Sequence, residues 1–220
     1  MNQKNEYFFC GIASPYVFDS LEIAFRANNH IAGFIHNTPE IEAPADLYPI
    51  LSLDDLQHLD RNSKMVIPLI TPGYRKKIEL ELIELGFDSF PDLIDPTSVI
   101  ARTAKWGIGF QVNAGVVIAS RCRFGRHVLI NRSASIGHDA IVEDYVSFGP
   151  GVVVCGSVLI GTGTFVGAGA TIVPEKKIGR NVVIGAGAVV TVDVADHTIV
   201  SGNPARVMKT GIPGYNKVSV

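Results

Sequence analysis

The sequence has few cysteines, no excess of positive charge and no long hydrophobic run, and each shortage excludes a class of protein. Its three cysteines, Cys10, Cys122 and Cys155, are odd in number and far apart, which favours reduced, buried thiols over a disulfide framework or a zinc site. A net charge of −2 argues against nucleic acid and anionic membranes as partners. No apolar run approaches the roughly 18 residues of a membrane helix, and the polar start MNQKNE is unlike a signal peptide. We therefore expect a cytoplasmic protein that acts on a small molecule.

What the sequence does have is 47% apolar residues and 22 glycines, arranged in two parts with different periods. In residues 1–92, we predict strands in YFFCGIA, IAGFIHN and KMVIPLI, and helices in VFDSLEIAFRANN, SLDDLQHL and YRKKIELELIELG. Ser14 and Pro15 have the residue types of an N-cap and a first helical position, and Gly86 closes the last helix. This order predicts an α/β, Rossmann-like domain with a parallel sheet, whose ligands lie beyond the strand ends, near Gly11–Tyr16 and His36–Thr38.

Residues 93–220 instead follow a period of six. Every sixth position from Ile94 to Val190 is apolar, seventeen in succession, and a small or β-branched residue stands four places after most of them. This period fits neither an amphipathic helix nor a hairpin sheet, but it fits a solenoid in which each hexapeptide forms one short side. Three sides make a coil of about 18 residues, so residues 18 apart are expected to be stacked about 4.8 Å apart in neighbouring coils.

This repeat, an aliphatic residue often followed by glycine and then by a small residue, resembles that of the hexapeptide-repeat acyltransferases. The segments FPDLIDPTSVIA, INRSASIGHDAIVEDYVSFGPGVVVCGSVLIG and VSGNPARVMK narrow the resemblance to sugar O- and N-acetyltransferases of the sialic-acid O-acetyltransferase and bacillosamine-pathway type. The resemblance covers nearly the whole chain. It implies an all-β left-handed parallel β-helix after the α/β domain, and a homotrimer.

His138 lies two places after the core position Ile136, and Gly156 lies 18 residues further on. An amine that attacks an acetyl thioester must lose a proton, which a neutral histidine accepts near neutral pH. A backbone N–H stabilises the oxyanion that forms, and glycine lets the thioester approach closely. The resemblance implies these two roles for His138 and Gly156. Spacing alone instead favours an inert histidine on the solenoid surface.

Asp139 has two alternative roles. It fixes the tautomer of His138 and stabilises the imidazolium, or it pairs with Arg121, one coil before, in an exposed ladder. Successive residues of a strand face opposite ways, so the first role requires that the coil turns at Asp139. His127 raises the further alternative of a zinc enzyme of the γ-carbonic anhydrase type, but the repeat offers no third histidine at usable spacing. We therefore expect no metal.

The resemblance implies acetyl-CoA as the donor, lying between two copies of the β-helix. Ala168 and Ala186 are 18 residues apart on one side of the solenoid, where small side chains leave backbone groups open to a pantetheine arm, although such residues also simply shape tight corners. Pro204, Arg206 and Lys209 match the closing segment that borders the adenine and phosphate end in the family. Basic residues near a C-terminus are, alternatively, only solvated.

The acceptor side departs from the family. The glycine-rich loop after the first strand is GIASPY here, so that Gly11 is kept while Ser14 replaces a glycine and Pro15 a histidine. N–H groups after Ser14 are expected to bind phosphate at the helix start, to which Pro15 contributes none. The departures predict an acceptor other than the usual UDP-linked amino sugar. The residues that we expect to contact the acceptor are Gly11, Ala13, Ser14, His36, Asn37 and Ser147, the last three standing where the family has an acidic pair and a second histidine.

Three functions stay open at this point. The leading one is an acetyl-CoA-dependent acetyltransferase that acts on the amino group of a nucleotide-linked amino sugar in glycan biosynthesis. The second is O-acetylation of a sugar such as a sialic acid, for which His138 serves equally. The third is a non-catalytic, sugar-binding trimeric scaffold, which the altered loop and the missing second histidine favour. Binding of coenzyme A distinguishes both enzymes from the scaffold.

Overall fold

The computed structural model describes residues 6–11, 14–36, 48–52 and 54–220. Its N-terminal part contains the predicted parallel sheet, which has four strands rather than the three predicted, with helices on both faces. Tyr7 and Phe9 face one apolar core with α1, and Phe8 and Cys10 face a second core with α2. The strands are β1 Glu6–Cys10, β2 His30–His36, β3 Ile50–Ser52 and β4 Lys64–Val66, and the helices are α1 Tyr16–Arg26, a 3₁₀ helix at Asp54–His58, and α2 Pro72–Glu84.

Several details of this part differ from the prediction. Strand β4 covers only Lys64–Val66 of the predicted strand KMVIPLI, and residues 67–71 form a loop. Ile50–Ser52 forms a short edge strand on β2, whereas we predicted Ser52 as the start of a helix, because three residues are too few to show a strand period. Helix α1 begins at Tyr16, one residue later than predicted, with Pro15 in the N-cap position. The Ser14 hydroxyl accepts a hydrogen bond from the Tyr16 N–H at 3.3 Å.

The strand order is β3-β2-β1-β4, so the chain changes sides between β1 and β4. In open parallel sheets, ligands bind beyond the carboxyl ends of the strands at such a switch point. Gly11 follows β1 directly, with φ of +91°, and a Cβ there would lie 3.0 Å from the side chain of Leu69, which follows β4. We call the region at these strand ends, bounded by Gly11 and by residues 67–71, the acceptor crevice, because we expect the acceptor to bind there.

The C-terminal part is a three-sided parallel β-helix, and each of the seventeen predicted apolar positions ends one strand. Strands 18 residues apart pair in register, for example Ser135 with Val153. The three sides are sheet I (β5, β8, β11, β14, β17, β20, β22, β23), sheet II (β6, β9, β12, β15, β18, β21) and sheet III (β7, β10, β13, β16, β19). The strands are β5 Leu93–Ile94, β6 Val99–Ile100, β7 Lys105–Trp106, β8 Gln111–Val112, β9 Val117–Ile118, β10 Arg123–Phe124, β11 Leu129–Ile130, β12 Ser135–Ile136, β13 Ile141–Val142, β14 Ser147–Phe148, β15 Val153–Val154, β16 Leu159–Ile160, β17 Phe165–Val166, β18 Thr171–Ile172, β19 Lys177–Ile178, β20 Val183–Ile184, β21 Val189–Val190, β22 Thr198–Ser201 and β23 Arg206–Thr210.

The core of the β-helix contains the residues that the period selects. The small or β-branched positions, such as Val116, Ala134 and Val152, are fully or almost fully buried beside the sixth-position residues. The sixth-position residues of the first coil are less buried: Ile94 and Ile100 are partly exposed, and Trp106 is 37% exposed, with its indole N–H donating to Asp92 at 2.7 Å. Cys155 is partly exposed, whereas we expected a buried thiol.

The outer face of sheet I is covered by the rest of the chain. The N-terminal part buries the outward side chains of Gln111, Leu129 and Ser147, and Tyr215, from a 3₁₀ helix at Tyr215–Lys217, stacks on Phe165 with ring centroids 3.7 Å apart. Leu93 packs into the core of the N-terminal part while its strand pairs with β8. The predicted division into domains 1–92 and 93–220 stays a prediction. None of the described helices is both long and apolar enough to cross a membrane.

Candidate active site

His138 and Asp139 lie together at the corner between sheets II and III. His138 is exposed, and its Nδ1 is 2.8 Å from Asp139 Oδ2. The same carboxylate accepts two hydrogen bonds from Arg121, one coil before, at 2.6 Å from Nε and 2.7 Å from Nη2. The two roles that we considered for Asp139 are therefore compatible, because one carboxylate contacts both side chains.

The coil turns at Asp139, as the contact with His138 requires. Asp139 has φ of +59°, a left-handed conformation that asparagine and aspartate tolerate best among residues other than glycine. Hydrogen bonds from Arg121 and then from His138 lower the pKa of the Asp139 carboxyl, which therefore stays ionised at neutral pH. An ionised carboxylate at Nδ1 selects the tautomer that carries its proton on Nδ1 and leaves Nε2 as a proton acceptor.

Gly156 is beside the imidazole in the next coil. A Cβ at this position would lie 2.7 Å from both Cε1 and Nε2 of His138, so the imidazole leaves room there only for glycine. Within the part of the chain that the structure describes, the Gly156 N–H makes no hydrogen bond. A proton acceptor and an unpaired backbone donor thus lie close together on the surface, which is the arrangement that attack on a thioester carbonyl needs.

Ala168 and Ala186 lie at a different corner, between sheets I and II. Both are exposed, and neither backbone N–H has a hydrogen-bond partner among the described residues. They are stacked one coil apart, as predicted, since the Gly187 N–H donates to Ala168 O at 2.8 Å. In a single chain, the whole width of sheet II separates this corner from His138.

The predicted phosphate end of the donor site lies on the hairpin that closes sheet I. Pro204 is in the exposed turn between β22 and β23, and Arg206 and Lys209 are exposed on β23, which pairs antiparallel to β22. The Arg206 guanidinium makes a hydrogen bond to Ala205 O at 2.9 Å and is otherwise open to solvent.

Three of the predicted acceptor residues lie near the carboxyl ends of the strands in the N-terminal sheet. Gly11 and His36 are neighbours at the carboxyl ends of β1 and β2, and Ser14 lies between β1 and α1, whereas Ala13 and Asn37 lie outside the described residues. The first N–H groups of α1 bond within the chain, Tyr16 to the Ser14 hydroxyl and Val17 to Ser14 O at 3.0 Å. A phosphate at this helix start would have to displace the Ser14 hydroxyl.

Several known proteins are similar to this chain in sequence or in fold. GDP-perosamine N-acetyltransferase of Escherichia coli O157:H7 is 38% identical over 119 residues, or 52% of this chain and 54% of that protein. The chain thus spans about half the length of this curated relative. PerB from Caulobacter crescentus, in complex with CoA and GDP-perosamine, has a TM-score of 0.85 at 25% identity, over 93% of this chain and 97% of that one. The acetyltransferase domain of PglB from Neisseria gonorrhoeae FA1090, in complex with acetyl coenzyme A, has a TM-score of 0.84 at 24% identity, over 93% and 100%.

The resemblance to hexapeptide-repeat sugar acetyltransferases is confirmed. So is the predicted fold class, an α/β Rossmann-like domain followed by a left-handed parallel β-helix. No protein-family model matches the chain. The roles assigned to individual site residues stay predictions.

Ser147, predicted to contact the acceptor, is fully buried. Its hydroxyl donates to Ile70 O at 2.6 Å and accepts from Arg75 Nη1 at 3.0 Å. Arg75 was not predicted as a functional residue. In the sequence, Arg75 and Glu79 have the spacing of an ordinary exposed helix pair, and no signal distinguishes them from one.

Both residues in fact bury their charge between α2 and the β-helix. Glu79 lies 2.8 Å from Arg126 Nη2 and 3.2 Å from Nε2 of the buried His127, and it accepts a hydrogen bond from Tyr145. The His127 ring stacks on Tyr145 at 5.7 Å, so this histidine is part of the junction. Across the described residues, no group of three or more His, Cys, Asp or Glu side chains is arranged to hold a metal ion.

Proposed function

We propose that the chain is an acetyl-CoA-dependent acetyltransferase that acetylates the amino group of a nucleotide-linked amino sugar, with His138 as the general base. The observation that carries the proposal is the contact of His138 with the Asp139 carboxylate on one side and with the bare backbone of Gly156 on the other. An inert surface histidine needs neither the carboxylate nor the glycine.

The reaction follows from these contacts. The amine nitrogen attacks the thioester carbonyl carbon, His138 Nε2 takes the proton that the nitrogen loses, and the carbonyl oxygen becomes an oxyanion near the Gly156 N–H. Collapse of this intermediate re-forms the C=O bond and breaks the C–S bond. The imidazolium then gives its proton to the leaving thiolate, which yields the amide and free coenzyme A. Asp139 stabilises the imidazolium between these two steps.

The unpaired N–H groups at Ala168 and Ala186 fit a pantetheine arm, whose amide carbonyls need donors. Arg206 and Lys209, exposed beyond this corner, supply the charge that phosphates need. Two of the three proteins named above are linked to GDP-perosamine: the Escherichia coli enzyme is named for it and PerB binds it. The acceptor loop here departs from the UDP-sugar type. We therefore propose a GDP-linked amino sugar as the first acceptor class to test.

A homotrimer and a cytoplasmic location are part of the proposal. A donor that contacts both His138 and Ala186 needs two copies of the chain, because the two corners of one prism are separated by sheet II. The outward side chains of sheet II are uncharged, and Val99, Val117 and Val153 are 62%, 45% and 39% exposed, which supports packing of copies on this face. Nucleotide sugars and acetyl-CoA are metabolites of the cytoplasm, which supports that location.

The test is acetyl-CoA turnover, read as thiol release, against GDP-, UDP- and dTDP-linked amino sugars and free sialic acid. We expect release with one amino sugar, and a fall of about 10²- to 10⁴-fold in His138→Ala, the usual contribution of a general base. His58→Ala, which removes an exposed histidine far from this corner, is the control and should retain full activity. Equal turnover by wild type and His138→Ala would refute the mechanism.

A further inference from the structure

The loop at residues 67–71 forms one wall of the acceptor crevice. It follows β4 at the switch point of the sheet, and its Leu69 side chain packs against Gly11. A short stretch without helix or strand has no ladder of its own to fix its backbone. The hydrogen bonds that hold the Leu69 and Ile70 carbonyls therefore set the position of this wall of the crevice.

A single side chain on α2, Arg75, holds both carbonyls. Arg75 is 0% exposed. Its Nη1 donates to Leu69 O, and also to Ile70 O at 3.4 Å and to the Ser147 hydroxyl at 3.0 Å. Ser147 reinforces the contact, because its hydroxyl donates to Ile70 O.

The other donors of Arg75 reach the corner between sheets III and I. Nε donates to His127 O at 2.9 Å, and Nη2 donates to Tyr145 O at 2.8 Å and to Val146 O at 3.3 Å. The guanidinium thus joins the loop of the N-terminal part to two neighbouring coils of the β-helix.

Arg75 has no carboxylate partner among the described ion pairs, and all its acceptors are carbonyl or hydroxyl oxygens. Burial lowers the pKa of the guanidinium, so the site is costly for the cation. A buried charge without a partner of opposite charge adds little to the stability of the fold. A planar fork with five donors in fixed directions does, however, set the relative position of the backbone groups that it contacts.

We propose that Arg75 is a positioning residue for acceptor binding: it fixes the Leu69–Ile70 wall of the acceptor crevice against the β-helix, and Ser147 acts through it. The proposal rests on the proposed function, since it names a determinant of acceptor affinity at that site. According to the proposal, neither binding of the donor nor proton transfer by His138 depends on Arg75.

The experiment compares Arg75→Lys with Arg26→Lys. Lysine keeps the charge and the stem but loses the fork. Arg26 is the matched control: its Nε is 2.7 Å from the buried Asp95 carboxylate, so it also joins the two parts of the chain, but from the C-terminal end of α1, on the other face of the sheet from α2. The measurements are the acceptor KM and kcat, the Kd for CoA, and hydrogen exchange of the amides in residues 67–71.

In Arg75→Lys, we expect an acceptor KM raised about tenfold or more, kcat within about threefold of wild type, and an unchanged Kd for CoA. Exchange at residues 67–71 should accelerate in this variant and not in Arg26→Lys. Ser147→Ala, a milder change, should move the same quantities in the same direction, and it provides the test if Arg75→Lys does not fold. An unchanged acceptor KM, or faster exchange without a change in KM, overturns the proposal.

Failure of the proposed function gives a different result. If the wild type turns over no acceptor, the proposed function is wrong, and calorimetric binding of GDP replaces KM as the readout. Weaker GDP binding in Arg75→Lys than in Arg26→Lys then supports the positioning role. A wild type that binds neither GDP nor UDP overturns that role as well, because the crevice then has no nucleotide to hold.

Discussion

The Asp139 carboxylate serves two partners, and each of its oxygens has a definite role. One oxygen accepts from Arg121 Nε, while the other is shared between Arg121 Nη2 and His138 Nδ1. Arg121 is the larger cause of the lowered pKa of Asp139. The arginine therefore holds the carboxylate in place and keeps it ionised to lower pH, and the carboxylate in turn orients the imidazole.

Replacement of Asp139 by asparagine tests this chain of contacts. The amide cannot stabilise the imidazolium and can present its NH₂ group to Nδ1, which favours the wrong tautomer, so we expect kcat to fall about 10²-fold or more. Arg121→Met should show a smaller fall in kcat than Asp139→Asn at neutral pH. In Arg121→Met, the pKa of Asp139 returns towards the ordinary aspartate value of about 3.9, so the carboxylate is still ionised at neutral pH. Steady-state kinetics between pH 5 and 9 measure both effects, and an Asp139→Asn enzyme with wild-type kcat would show that the pair is only a surface ladder.

At the scale of elements, α2 shows where sequence analysis succeeds and where it stops. The helix predicted in YRKKIELELIELG, with Gly86 closing it, is present at Pro72–Glu84, although Arg75 and Glu79 occupy part of its buried face. The hexapeptide period likewise predicts every strand from β5 to β21, since each coil repeats the same environment. The buried roles of Arg75, Glu79 and Ser147 arise where α2 meets sheet I, and no local pattern records a contact between residues some 70 positions apart. The neighbourhood of His138 and Gly156 was predictable because an 18-residue coil converts sequence spacing into distance.

The junction of α2 with the β-helix should weaken in acid. Burial lowers the pKa of His127, so as the pH falls through about 6.5 the unfolded chain binds a proton that the folded chain resists. Burial alone would raise the pKa of Glu79, but His127, Tyr145 and Arg126 hold it below its usual value. Its stabilisation is therefore present above about pH 4.3 and is lost below that as the pH falls towards its lowered folded-state pKa. Titration of His127 and of Glu79 therefore each decreases the free energy of unfolding as the pH falls.

The free energy of unfolding should therefore decrease from pH 7.5 to pH 5.5, mainly through His127. His127→Gln removes this titration, so the variant should be less stable at pH 7.5 but should lose less on acidification. Denaturant unfolding at the two pH values measures the difference, with His58→Gln as the exposed control. An equal loss in wild type and in His127→Gln would show that His127 does not titrate between the folded and unfolded states.

At the scale of the whole molecule, the distribution of the predicted site over two corners requires more than one chain. His138 and Gly156 lie at one edge of sheet II, and Ala168 and Ala186 lie at the other. Charged side chains on sheet III, at Lys105, Arg123 and Lys177, contrast with the uncharged outer face of sheet II between these edges. Although sheet III also exposes Ile141 and Leu159, this contrast supports the proposal that sheet II is the face that packs against other copies.

Mixed oligomers provide the test. His138→Ala lacks the base, and Ala186→Trp blocks the corner at which we expect the donor. Co-expressed in equal amounts, the two inactive variants should form trimers in which about a quarter of the sites draw both intact corners from neighbouring chains. Thiol release by the mixture, together with a trimeric mass in light scattering, supports shared sites. A mixture of His138→Ala with Asp139→Asn, which damages the same corner twice, should be no more active than Asp139→Asn alone, and a higher activity in that mixture would argue against shared sites.

The regular spacing of the coils also fixes the axial distance between the two corners of the predicted site. Three coil steps separate the level of His138 from that of Ala186, which at one strand spacing per step is about 14 Å along the axis. Such a scaffold can lengthen or shorten this interval only in whole coils, since any other insertion would turn the corners out of line. In the proposed donor site, specificity for the length of the donor arm is therefore quantised: we expect it to change by the addition or loss of 18 residues at a time, while the residues proposed to contact the donor stay the same.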